Sequence, residues 1–152
     1  MAGRARRRRD HSGTVQIVVF VALVVALLAI DHLKERETPS QARSASAIVD
    51  AYESRESDVW VEGDGHVVKV LGDDNDGSRH QRLIVEIADG HTILIAHNID
   101  LAPRVPLAGG ESISFKGEYV WNDKGGVLHW THHDPQNRAS GGWIRLNGET
   151  YR

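Results

Sequence analysis

The chain has 152 residues and a formal net charge of −3 with histidines neutral, which leaves room for one small domain beside an apolar N-terminal run. It contains no cysteine, so disulfide frameworks, thiolate metal sites and cysteine nucleophiles are excluded. Beyond the apolar run 13 basic residues stand against 20 acidic ones, a balance of −7 that makes the domain a poor partner for nucleic acid, where phosphate neutralisation dominates binding.

Residues 1–13 hold Arg4, Arg6, Arg7, Arg8 and Arg9 and read as a cytoplasmic tail. Residues 14–30, TVQIVVFVALVVALLAI, carry no charge and at helical rise span about 26 Å, close to the thickness of a bilayer's hydrocarbon. This is expected to be a transmembrane signal anchor. No small-x-small pair follows it closely enough for cleavage, and the arginines hold the N-terminus inside. The expected product is a single-pass protein of the inner membrane with its domain outside the cytoplasm. Residues 31–44 read as a polar linker containing Pro39, overlapped from Gln41 by a short amphipathic helix to about Arg55. Ala45, Ile48, Val49 and Tyr52 form its apolar stripe, and Ser40 could cap it.

From Asp58 the pattern turns to period two. Val59–Leu71, Arg82–Ala88, Thr92–His97, Ser112–Trp121, Val127–His132 and Trp143–Leu146 are strand candidates, separated by Gly, Asp, Asn and Pro clusters. Asp89-Gly90 and Asn147-Gly148 are tight-turn signals, and Gly63 and Gly65 predict a bend in the first strand. The part from Asp58 onward is therefore expected to be all-β, within an extracytoplasmic β-barrel domain of residues 45–152. A long bent strand, a hairpin, an irregular crossing and a second hairpin fit a small barrel of five to six strands. The oligonucleotide/oligosaccharide-binding (OB-like) barrel is the leading architecture, with other small barrels or a sandwich as the alternatives.

The chemistry concentrates in residues 117–134, GEYVWNDKGGVLHWTHHD. Alternation along a strand from Val127 would put His129, Thr131 and His133 on one face and Leu128, Trp130 and His132 on the other, with Trp130 in the core. His97 and Asp100 flank the start of the irregular crossing. If the barrel brings them near His132, His133 and Asp134, then His97, His132, His133 and Asp134 could hold a divalent metal such as zinc, with Asp100 or Glu118 as a catalytic base. The same histidines could instead bond strand ends. Trp121 and Trp143 are candidates for a binding surface, together with Asn98, His129 and His133, while Arg82 and Arg104 could clamp an anion or pair with nearby carboxylates. The acidic turn DDNDG (Asp73, Asp74, Asp76, Gly77) lacks the closing Glu of a calcium loop.

The wording HNIDLAPR, then HWTHHDP and GGWIRLNG, resembles the bacterial domain-of-unknown-function family 3465 over about Ala47–Tyr151. That resemblance implies short bacterial proteins with an N-terminal export or anchor segment, and it supplies no catalytic residue. The residues themselves favour an extracytoplasmic binding module for a small polar ligand, glycan or protein partner. A metal-dependent hydrolase is the alternative, and a single-stranded nucleic acid binder rests on the barrel analogy alone.

Overall fold

A computed structural model describes residues 39–88, 90–136 and 141–152. The expected tail, the membrane span 14–30 and the linker up to residue 38 lie outside the described residues, as does Asp89 of the first predicted turn. Among the described residues no helix is long and apolar enough to cross a membrane.

Helix α1 spans Pro39–Glu53 and is followed by seven strands. They are β1 (Val59–Val70), β2 (His80–Ala88), β3 (His91–Asn98), β4 (Ser112–Val120), β5 (Val127–His129), β6 (Trp143–Leu146) and β7 (Glu149–Tyr151). The helix starts inside the segment read as linker. A proline as its first residue costs nothing there, because the first turn has no partner for that N–H.

Five strands close a small all-β barrel, with neighbours in the order β1-β2-β3-β5-β4 and a β1–β4 pairing that completes the circle. β6 and β7 extend the sheet from β4. β1 is long enough to serve two neighbours: residues 59–66 pair with β4, and residues 66–70 pair with β2. The strand changes partner at the expected bend, where a Cβ on Gly65 would collide with Val85. All contacts in the ring are antiparallel except β3–β5, a parallel seam with only two registered pairs, Leu94–Val127 and Ile95–Leu128. β7 was not anticipated. It forms because Asn147 and Gly148 both take positive φ, 51° and 84°, as a type I′ hairpin turn requires.

Alternation fills the interior. Val67, Leu83, Ile95, Phe115 and Leu128 are fully buried, while the intervening residues face outward. Each mouth of the barrel is closed differently. At the mouth where β1 begins and β4 ends, α1 lays Ile48 and Ala51 into the core, with Tyr52 and Trp121 packed beside them. Trp121 fastens this lid. Its indole Nε1 donates to the Tyr52 carbonyl at 3.1 Å, and its backbone N–H donates to Ser57 Oγ at 3.0 Å.

At the other mouth, where β2 begins and β3 ends, the closing piece is the crossing segment after Asn98, and the fasteners are polar. Gln81 and His97 are direct cross-strand partners, both pointing inward and 1% and 0% exposed. Gln81 copies a backbone amide. Its Nε2 donates to the Val105 carbonyl at 2.9 Å, and its Oε1 accepts from the Val105 N–H at 3.0 Å. His97 Nε2 lies 3.0 Å from the Pro103 carbonyl, which can only accept, so Nε2 carries the proton. Its Nδ1 then accepts from Thr131 Oγ1 at 2.8 Å.

Candidate functional site

The polar mouth carries an open depression of about 210 Å³ on the outside of the barrel. His80, Ala96, Asn98, Leu101, His129, Trp130 and His132 line it. Strand register explains the meeting: His80 pairs with Asn98 across β2–β3, and β5 places His129 on the outward face beside the end of β3.

Trp130 is the largest departure from expectation. Its φ is 54°, a left-handed conformation uncommon for a bulky side chain, and it stops β5 at His129 instead of His132. Alternation breaks at that point. Trp130, expected in the core beside Leu128, is 37% exposed, whereas Thr131 is fully buried and His132 is 4% exposed. The segment is held from below by the His97–Thr131 bond and from behind by Gly142, whose N–H donates to the His132 carbonyl at 2.8 Å. A Cβ on Gly142 would collide with the carbonyls of Lys116 and Trp130.

Hydrogen bonding decides what the depression presents. His132 Nδ1 donates to the His133 carbonyl at 2.7 Å, which leaves Nε2 as a bare acceptor in the neutral ring. The outward ring of Trp130 lies over that imidazole, with centroids 5.3 Å apart. His129 Nε2 is 3.3 Å from Glu118 Oε2, within ion-pair reach but out of line for a hydrogen bond. It is the one buried side-chain polar atom without a hydrogen-bond partner among the described residues. The adjacent carboxylate favours the ring proton on Nε2, so Nδ1 is the outward acceptor. Asn98 Oδ1 accepts the Asp100 N–H at 2.9 Å, which orients the amide so that its NH₂ is free to donate. The acceptors of His129 and His132, the Asn98 donor, the His80 imidazole and the Trp130 indole thus line the depression beside the apolar side chains of Ala96 and Leu101.

The other sequence candidates fall elsewhere. His97 is a buried fastener, and burial, opposed by its bond to Pro103, holds its pKa below the ordinary 6.5. Asp100 does not converge with it. The Asp100 carboxylate takes the Arg79 backbone N–H at 2.8 Å and the Arg79 Nε at 2.7 Å, and these bonds hold its pKa below the usual value. His133 is exposed, while Asp134 is buried and its Oδ1 accepts the Gln136 N–H at 2.9 Å. The expected metal set of His97, His132, His133 and Asp134 is thus not assembled. No group of three His, Asp or Glu side chains among the described residues could hold a metal ion. The turn needed to bring these rings together is used to bury Thr131 and Asp134.

Neither arginine faces the depression. Arg82 donates to the Gly72 carbonyl at 2.8 Å and Arg104 pairs with Asp73, so the acidic turn DDNDG is partly spoken for. Trp121 fastens α1 at the opposite mouth, with Arg55 over its ring at 5.5 Å. Trp143 stands half-buried on β6 under Arg145, 4.5 Å from its ring centroid. Glu118 touches the site through His129. Sequence reading passed over His80 and Leu101 and misplaced Trp130. His80 could have been found from its outward phase opposite Asn98, but nothing local announces the left-handed turn at Trp130.

A family model described as a protein of unknown function, DUF3465, matches residues 29–152. No curated protein matches the chain.

Proposed function

Because the chain belongs to the DUF3465 family, whose function is unknown, its role must be argued from its own surface, and we propose that it is a membrane-anchored extracytoplasmic module that binds a neutral glycan. The observation that carries this reading is the set of groups around the depression. His129 Nδ1 and His132 Nε2 accept, the Asn98 amide donates, and the Trp130 ring offers a flat apolar face. A pyranose has matching parts: hydroxyls that donate and accept, and a C–H face that packs on an indole. Neutral ligands suit a domain of charge −7 better than polyanions. The strand order also supports an OB-like reading, in which the outer surface of strands 2 and 3 binds oligosaccharides or oligonucleotides.

The test is titration of the full chain in detergent with N-acetylglucosamine and glucose, followed by NMR of the ligand. Millimolar or tighter binding that is lost in Trp130→Ala and His132→Ala is expected. Absence of saturation transfer from either sugar at millimolar concentration would sink the reading. Labelled single strands should show no micromolar binding at physiological salt. An alkaline phosphatase fusion at Arg152 should be active, since residues 14–30 are proposed to place the domain outside the cytoplasm.

A further inference from the structure

We propose that the binding surface does not end at the depression but continues across β4 to Trp60 on β1, so that the preferred ligand is a linear neutral oligosaccharide. This rests on the glycan reading above and extends it. Four large apolar side chains are exposed among the described residues; Val68 stands apart near the end of β1, and the other three fall on one track. Leu101 and Trp130 line the depression, and Trp60, 43% exposed, stands in the same outward row as His129. The register fixes that row. Trp60 pairs with Glu118 across β1–β4, and Glu118 pairs with His129 across β4–β5.

Two strand spacings separate Trp60 from His129, about 10 Å. Between them lies the Glu118 carboxylate, 3.3 Å from His129 Nε2 and partly open to solvent. An indole, a carboxylate–imidazole pair and a second indole in sequence give alternating stacking and hydrogen-bonding stations. That alternation suits a chain of linked pyranoses, each with a C–H face and a rim of hydroxyls. A peptide would need a free sheet edge or apolar pockets to register its backbone, and this row lies on the face of paired strands. A polyanion is disfavoured, because Glu118 and Glu62, the next outward residue of β1, both border Trp60.

The test uses β-1,4-linked N-acetylglucosamine and glucose oligomers of one to four units, titrated calorimetrically against the full chain in detergent. At least one series should gain tenfold or more in affinity from one unit to three and then level off. Trp60→Ala should remove that gain while leaving single-unit binding unchanged, and Trp60→Phe should keep part of it. Trp130→Ala should weaken every length. Equal affinity at all lengths, or a length gain that survives Trp60→Ala, would overturn the extended track and leave the depression's reading standing. No binding at any length would overturn both. Preference for a sulfated oligomer over its neutral counterpart would show that the ligand class is wrong.

Discussion

The two mouths of the barrel solve one problem with different chemistry. At the α1 end the interior is sealed by Ile48, Ala51 and Tyr52, with the His91 ring edge-on to Tyr52 at 4.7 Å. At the crossing-segment end the seal depends on Gln81 and His97, two buried polar side chains that satisfy backbone groups of an irregular chain. Apolar packing tolerates a shift of a fraction of an ångström at small cost, and at the α1 end the two bonds of Trp121 are what set the position of the lid. A polar pin tolerates less, because each misaligned bond strands a buried donor or acceptor. The depression is built at the pinned mouth, where Thr131, held by His97, carries Trp130 and His132 on either side. The polar pin thus positions the Trp130–His132 segment from below, while the apolar closure lies at the opposite mouth.

The contrast can be broken by substitution. Gln81→Ala should have the largest effect, costing about 4 kcal/mol, because it orphans both the N–H and the carbonyl of buried Val105. Urea denaturation would measure it, and a loss under 1 kcal/mol would mean that the crossing segment reseats without its pin. Ile48→Ala should cost about 3 kcal/mol through lost burial and a cavity, with sugar binding intact in the folded fraction. Loss of binding in that variant would show that the mouths are coupled.

Acidification should separate the ends next. Burial favours neutral His97, so its folded pKa lies below 6.5 and the unfolded chain takes up the proton first as pH falls. The stability due to His97 is complete above pH 6.5 and is lost as pH drops through 6.5 toward the lower folded value. Melting temperature followed from pH 7.5 to 5 should fall less in His97→Gln than in the native chain, while Ile48→Ala should keep the native slope. An unchanged slope in His97→Gln would remove His97 from the account. Trp121→Phe should give the smallest change, about 1 kcal/mol, from one lost bond to the Tyr52 carbonyl.

Much of this architecture was legible in the sequence because burial in β3 and β4 follows strict alternation. In β3, Ile93, Ile95 and His97 face in, and in β4, Ile113, Phe115 and Tyr119 do the same. The strand spans followed from that pattern. The site was harder to read, since it depends on exceptions. His97 sits at an inward position, and alternation alone could have marked it as core, yet its residue type drew the metal reading. Trp130 is invisible for the opposite reason: a tryptophan two residues after a buried leucine is assigned to the core unless the backbone inverts between them. That inversion is maintained by distant partners, Gly142 and His97, which no local window contains.

The parallel β3–β5 seam has a consequence for the order in which the molecule opens. With two registered pairs, supplemented by the Leu94 N–H to the Gly126 carbonyl at 3.0 Å, it is the thinnest contact in the ring. With so few rungs it should be early to part in native-state fluctuations. β5 delivers His129 directly and leads into Trp130 and His132, so parting the seam dismantles the depression while the β1–β2–β3 meander and α1 stay folded. Any ligand that bridges His129 and Asn98 spans the seam and acts as its missing rungs. Amide exchange at Leu94 and Leu128 should then slow on binding more than exchange in β1 or β2.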